Sequence, residues 1–266
     1  MPASTRHQRI LSLLRDRGRV AASALRRELG VTAMTVWRDL RLLEELGLLR
    51  RERGGARPAA LAAGEPDFEM KSDAAAAAKQ RIAARAVREF VRAGDTVALE
   101  GGTTVAAIID HLPESQVSIV TNSLPVAQRL RLRRPALAVR VIGGWLSTVS
   151  GNMTGPDALR EIGRLAASVC FISATAFDRE VGPSDPNPLE IEAKRALAAI
   201  SRRVVLLLDA GKFARRSAAV TLHPRRLDAL ITDKRPPAGI PAMLRRHGVR
   251  TLVCPASTAN DAKSRD

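Results

Sequence analysis

The sequence predicts an α/β protein in two unequal parts, a small helical module followed by a larger domain on a mostly parallel sheet. Three observations predict it. Between residues 96 and 253, seven short apolar runs alternate with helical segments. The first 47 residues instead hold three short helical periods punctuated by Gly18, Gly30 and Gly47. Lastly, the 266-residue chain has a formal net charge of +16, of which +7 falls in residues 1–58, where thirteen arginines stand against six acidic residues.

At the N-terminus, residues 5–16 place Ile10, Leu11, Leu13 and Leu14 at helical spacing, and Gly18 ends the segment. A second helix, ASALRREL at 22–29, stops at Gly30. Thr32 N-caps a third, which runs from Ala33 to Leu46 with Gly47 as its stop. Three short helices in tight succession, the last two separated by GVT, make a helix-turn-helix. LLRRERGGAR, residues 48–57, then reads as a two-stranded wing turning at Gly54-Gly55.

Arginine enrichment over less than a quarter of the chain points to a polyanionic partner, because it locates the charge and does not merely total it. In this geometry the third helix enters the major groove with its N-terminal half at base edges. Val36, Leu40 and Leu43 form its apolar stripe, which leaves Thr32, Met34, Thr35, Trp37, Arg38 and Arg41 as candidate DNA contacts. Arg51 and Arg53 join them from the wing. An arginine grips a guanine edge or a phosphate, and Trp or Met offers apolar contact to a thymine methyl or a sugar. The plain alternatives are that Arg38 pairs with Asp39 or Glu45, and that Trp37 packs on the first helix.

Composition narrows the rest. Hydrophobic residues make up 45% of the chain but aromatics only 3%, so the core is built from Ala, Val, Leu and Ile. Cys170 and Cys254 stand far apart with no CxxC partner, which gives neither a disulfide framework nor a zinc site and fits a reduced compartment. The first eighteen residues have charges throughout and no signal-like apolar core, and no apolar run is long enough to span a bilayer. The expectation is a cytoplasmic protein. Residues 57–78 lose periodicity and gather Pro, Gly and Ala, giving a linker over 58–78 that passes into a helix through AKQRIAARAVREFVRAG, ending at Gly94.

Strands are expected at 96–100, 117–122, 137–144, 169–174, 204–209, 229–233 and 249–253, with helices at 103–112, 123–131, 156–167 and 189–200. Nearly continuous apolar runs separated by helices indicate a parallel sheet covered on both faces. The domain therefore spans 79–255 and is Rossmann-like, and a polar tail over 256–266 is expected to be disordered. The runs end in polar residues: Glu100-Gly101-Gly102-Thr103-Thr104, Thr121-Asn122-Ser123, Gly143-Gly144, Asp209 to Lys212, and Thr232-Asp233. Ligands of open α/β sheets lie at the carboxyl ends of strands. GGTT can offer backbone amides and two hydroxyls to an anion, TNS the same more weakly, and Lys212 can hold a phosphate or carboxylate. The plain alternatives are ordinary turn and cap residues, and a snorkelling lysine.

MTVWRDLRLLEELGLLRRERGGA resembles the winged helix-turn-helix signature of the DeoR family of bacterial transcriptional repressors. Met34, Thr35, Val36, Arg38, Asp39, Leu40, Gly47, Gly54, Gly55 and Ala56 carry the match. The chain departs at Trp37, where the family usually has Arg, at Arg53, where His is common, and in lacking a Ser/Thr cap around Ala21. The resemblance continues through KQRIAARAV, LEGGTT, VTNS, Gly143-Gly144, Gly155, FISATAFD, NPLEIEAKR, LDAGKF and ITD. It implies a sensor domain similar to ribose-5-phosphate isomerase that takes a phosphorylated sugar or related metabolite. Gly102, Thr103 and Thr104 would take the phosphate, with Asn122, Asp178, Glu190 and Lys212 lining the rest. Glu100 stands where the family favours Asp, and Ala176 and Phe177 replace glycine-rich sequence, which would narrow the pocket.

The effector-binding candidates are thus Glu100, Gly101, Gly102, Thr103, Thr104, Thr121, Asn122, Gly143, Gly144, Asp178, Glu190 and Lys212, with no catalytic residue, metal or cofactor expected. The expected function is a DNA-binding transcriptional regulator, a repressor of carbohydrate-metabolism genes under metabolite control. Its expected partners are a double-stranded operator, the effector and at least one further copy of the chain, with no membrane partner. The alternative is a sugar-phosphate isomerase-like enzyme with an accessory DNA-binding module, using Glu100 or Glu190 as base and Lys212 as electrostatic partner.

Overall fold

A computed structural model describes residues 3–45, 49–52, 54–58 and 75–256. The chain divides into two compact units, residues 1–66 and 67–266. Most of the expected linker, Gly47, Arg53 and the expected tail beyond residue 256 lie outside the described residues.

The first unit runs α1 (Ala3–Arg17), β1 (Val20–Ala21), α2 (Ala22–Leu29), α3 (Ala33–Glu45), β2 (Leu49–Glu52) and β3 (Gly55–Pro58). Ile10, Leu13 and Leu14 of α1, Leu25 and Leu29 of α2, and Val36, Leu40 and Leu43 of α3 meet in one core, closed by Val20, Leu49 and Ala56. The spacing that marked each helix thus also marks its buried face. Gly30 takes φ 64° and returns its amide to Arg26 O, ending α2. Thr32 caps α3, its Oγ1 accepting from Thr35 N at 3.2 Å. The wing forms as expected, with one addition. The two residues of β1, too short to show a period, pair with β3, so β3 is the middle strand of three. Gly55 is needed there, because a Cβ would lie 2.2 Å from Val20 O.

The second unit opens with α4 (Ala76–Phe90) and β4 (Thr96–Leu99), then α5 (Thr103–Ala106), which continues as a 3-10 turn over Ala107–His111. There follow β5 (Ser118–Thr121), α6 (Leu124–Arg133), β6 (Ala138–Val141), the hairpin β7 (Trp145–Leu146) and β8 (Met153–Thr154), and α7 (Gly155–Ile162). The chain continues through β9 (Val169–Ile172), β10 (Ala176–Asp178), β11 (Gly182–Asp185), α8 (Pro188–Ala199), β12 (Val204–Leu208) and β13 (Ala219–Val220). It closes with β14 (Ala229–Thr232), α9 (Ile240–Arg246) and β15 (Arg250–Val253).

All seven expected strands enter one sheet of order β15-β14-β12-β9-β4-β5-β6, with every neighbouring pair parallel. Alternate residues serve opposite cores. Val97, Leu99, Phe171, Val205 and Leu207 pack with α4, α5 and α6, whereas Ala98, Cys170, Ile172, Leu206 and Leu208 pack with α7, α8 and α9. Burial on both faces explains the unbroken apolar runs. The sheet grows from its centre: β5 and β6 extend it to one side of β4, and β9, β12, β14 and β15 to the other. The order therefore reverses between β4 and β9, where open α/β sheets form a crevice beyond their strand ends.

Candidate functional site

In the first unit, α3 divides sharply between its two sides. Val36 and Leu40 are fully buried, whereas Met34 is 73% and Trp37 37% exposed. Thr32, Arg38 and Arg41 are exposed too, and Thr35 is half-buried against the cap. Asp39 does not pair with Arg38. It is buried and tied to α1, its Oδ2 accepting from Arg6 Nε at 2.8 Å and its Oδ1 from Arg6 Nη2 and lying 2.9 Å from His7 Nε2. That clamp anchors α3 from behind, so the Arg38 side stays outward. The side chain of Glu45 lies outside the described residues, as does Arg53. Arg51 joins the wing to α3, with its amide 2.7 Å and its Nε 2.5 Å from the carboxylate of Glu44.

In the second unit, the strand-end residues sort into three groups. The first occupies the switch between β4 and β9. Glu100 N donates to Phe171 O at 3.1 Å, and the Glu100 carboxylate, 1% exposed, accepts from Ser173 N at 3.4 Å. Burial pushes the Glu100 carboxyl up to about 8, with Lys194 working against the rise and Asp185 and Glu190 adding to it. The buried cation of this site is therefore Lys194 of α8. Its Nζ lies 3.8 Å from Glu100 Oε1 and donates to Asp185 Oδ2 at 2.8 Å and Ser173 O at 3.0 Å. Burial works against that ammonium, but Asp185 and then Glu100 outweigh it and keep the amine protonated above its usual range. Burial also opposes ionisation of Asp185; Lys194 and hydrogen bonds from Lys194, Thr221 and Thr175 overcome it and hold the carboxyl below its usual range.

Glu190, one turn before Lys194 on α8, faces the same way. Its Oε1 accepts from Ser150 Oγ at 2.7 Å, Ser147 Oγ at 3.1 Å and Asn187 Nδ2 at 3.3 Å. Gly101 and Gly102 let the loop after β4 pass between its neighbours. A Cβ on Gly101 would stand 1.9 Å from Asn152 Oδ1, and one on Gly102, at φ 124°, 2.3 Å from Ser173 Oγ. Thr103 and Thr104 begin α5, and a helix start leaves its first amides without acceptors inside the helix.

The second group lies at the end of β5. Thr121 is fully buried and its Oγ1 accepts from Ser123 N at 3.1 Å, so these two groups satisfy each other and are not offered to an anion. Asn122 Nδ2 donates to Met153 O at 3.0 Å. The third group is spread over other strand ends and turns. Gly143 and Gly144 are exposed at the sheet edge, where Gly143 N donates to Glu161 Oε2 at 3.1 Å and Gly144 passes close to Thr154 O. Asp178 caps the turn after β10, accepting from Glu180 N at 2.7 Å and Val181 N at 3.4 Å. Ala176 and Phe177 are buried, with Phe177 edge-on to Phe213. Lys212 ends a 3-10 turn after β12 whose first residue is capped by Asp209, the Asp209 Oδ1 accepting from Gly211 N at 3.0 Å.

Sequence reasoning missed Lys194, Asp185, Ser173 and Asn152. The available signal for Lys194 was its i, i+4 spacing from Glu190, which places both on one side of α8. Among the described residues no group of His, Cys, Asp and Glu is arranged to hold a metal, and no helix is long and apolar enough to cross a membrane.

A recognition helix with exposed arginines and a wing, followed by a parallel α/β domain with polar groups gathered at its topological switch, defines a class: a DNA-binding regulator with a ligand sensor. The chain matches the model of the DeoR-like helix-turn-helix domain over residues 6–60 and that of the DeoR C terminal sensor domain over residues 74–234. It belongs to the DeoR family and is a DNA-binding transcriptional regulator. It is similar to the HTH-type transcriptional regulator GlpR of Haloferax volcanii, 32% identical over 88% of this chain and 90% of that one. It is also similar to the glycerol-3-phosphate regulon repressor of Escherichia coli K12, 29% identical over 96% of this chain and all of that one. Among solved structures, ribose 5-phosphate isomerase from Plasmodium falciparum overlaps 51% of this chain and 52% of its own at 14% identity and a TM-score of 0.38. That overlap is partial, and the fold rests on the strand order.

Proposed function

We propose that this regulator is a repressor of carbohydrate-metabolism genes, and that a phosphorylated sugar or related metabolite controls it from the crevice between β4 and β9. The observation that carries the reading is α3. A helix whose stripe is sunk to 0–1% exposure at Val36, Leu40 and Leu43 leaves Met34, Trp37, Arg38 and Arg41 outside. Apolar and cationic groups mixed on an open helix side fit a major groove, where methyls and acceptors alternate. Trp37, in this reading, contacts the duplex.

One such head buries modest area, so useful affinity needs at least two copies on spaced half-sites. The protein works in the cytoplasm, where operator and metabolite are both present. It is a sensor and not an enzyme. Glu100 is buried and Lys194 is already engaged by Asp185, and the relatives that match along nearly the whole chain are transcriptional regulators. Of the remaining effector candidates, Gly102, Thr103 and Thr104 supply amides and hydroxyls for the phosphate, and Glu190 faces the sugar.

The test is fluorescence anisotropy of the full chain on DNA from its own upstream region, titrated with salt and then with phosphorylated sugars. Binding that falls steeply with salt and is altered by one sugar phosphate supports the reading. Binding insensitive to salt, or turnover of a pentose or hexose phosphate in a coupled assay, overturns it.

A further inference from the structure

Three polar atoms next to the crevice are buried and have no hydrogen-bond partner: Asn122 Oδ1, Ser123 Oγ and Asn152 Oδ1. Their residues are 1%, 0% and 3% exposed. They come together because the end of β5 pairs with the β7–β8 hairpin: Ser123 bridges Asn152, Met153 N donates to Asn122 O at 2.6 Å, and Asn122 Nδ2 returns to Met153 O at 3.0 Å. That last bond fixes the amide of Asn122, so its bare oxygen is an acceptor. Buried polar atoms are almost always paired, and three orphans on residues joined at one strand–hairpin junction call for a partner that is not part of the chain.

The surroundings fit a ligand site. Asn152 Oδ1 points at Gly101 of the β4 loop, where any side chain would collide with it. Asn152 N is 3.3 Å from Ser150 Oγ, which in turn donates to Glu190. The orphans thus border both the loop after β4 and the carboxylate side of the crevice. Their chemistry is not that of an anion site: two amide oxygens accept, one hydroxyl does either, and no cation is among them.

We infer that Asn122, Ser123 and Asn152 form a second subsite of the sensor that takes a hydroxyl-bearing carbon of the effector. The inference rests on the crevice being the effector site. Phosphate supplies affinity at one end of the ligand; at the other, sugar hydroxyls donate to the two amide oxygens while Ser123 Oγ completes the set. A site built to receive hydroxyls rejects a ligand that lacks one, because its acceptors are then left buried and bare. This subsite, and not the phosphate loop, therefore sets which sugar is sensed.

The experiment is calorimetric titration of the full-length protein with inorganic phosphate and with matched pairs: ribose 5-phosphate and 2-deoxyribose 5-phosphate, glucose 6-phosphate and 2-deoxyglucose 6-phosphate. The inference expects the hydroxylated member of at least one pair to bind about tenfold tighter or more. It further expects Asn122→Ala and Asn152→Ala to erase that preference by weakening the hydroxylated member about tenfold more than the deoxy member. Equal binding within both pairs, or variants that keep the preference, overturns the subsite and leaves the effector reading standing. Silence from every probe overturns the effector reading and the subsite with it. Should an alanine variant fail to fold, the wild-type comparison within each pair decides alone.

Discussion

Glu100→Gln isolates the most strongly raised carboxyl of the sensor. The carboxyl lies at 1% exposure between β4 and β9, 3.8 Å from the Lys194 ammonium, and titrates at about 8 against an ordinary 4.5. Between those two values the folded chain holds a proton that the unfolded chain releases, so raising the pH favours unfolding. Glu100 therefore contributes least to stability above pH 8 and most below 4.5. Each pH unit inside the window removes about 1.4 kcal/mol, and the whole window at most about 5 kcal/mol. Glutamine keeps the shape and never ionises. The measurement is urea unfolding at half-unit steps from pH 5 to 8.5 in a Trp37→Phe background, which leaves Trp145 as the only tryptophan and reports the second unit. The stability of the parent relative to Glu100→Gln should fall steadily as pH rises through this window and level off above pH 8. The carboxyls held below their usual range, Asp185 among them, lose their contribution only in acid below about pH 4. They do not enter this window. Two parallel profiles would refute the reasoning and mean that Glu100 is solvated or ionised when folded.

Other expectations follow from single contacts. Lys194→Met strands the buried Asp185 carboxylate without its ammonium and should cost about 3–5 kcal/mol in the Trp145-reported transition; a loss under about 1 kcal/mol would mean that the pair is open to water. Gly55→Ala sets a methyl 2.2 Å from Val20 O and should destabilise the first unit by about 1–3 kcal/mol, read by Trp37 fluorescence in a Trp145→Phe background. Arg38→Ala should weaken operator binding, lowering the slope of log affinity against log salt by about one if the contact is to phosphate, or relaxing preference at one base pair if it is to a base edge. No change in either would remove Arg38 from the interface.

The fold was legible wherever burial is two-sided. Runs such as VVLLL at Val204–Leu208 are apolar at every position because alternate residues enter separate cores, and nothing but a covered strand asks for that. The small sheet of β10, β11 and β13 was not legible, for the opposite reason: GPSD at Gly182–Asp185 spells a turn, yet all four residues are buried in a strand. Tertiary packing overrides propensity there, since Asp185 is held by Lys194 of α8, Thr175 just before β10 and Thr221 just after β13. The helix over Ile240–Arg246 was missed because seven residues behind PPAG carry too little periodicity. Expected helices at 103–112 and 156–167 proved shorter, the first passing into a 3-10 turn and the second ending at Ile162 before Gly163. In the site, the strand ends announced Glu100 and Asn122. Lys194 was hidden because a lysine in mid-helix ordinarily belongs to the surface, and only the three-dimensional convergence of Glu100, Asp185 and Glu190 turns it inward.

The placement of β3 between β1 and β2 has a consequence for how such heads diversify. A two-stranded flap would swing with every change of length, but this one is stitched along both sides of its returning strand. Insertions at the connection between β2 and β3 can lengthen that hairpin while the stem keeps its alignment. Changes of length can thus accumulate at the fingertip without disturbing the knuckle.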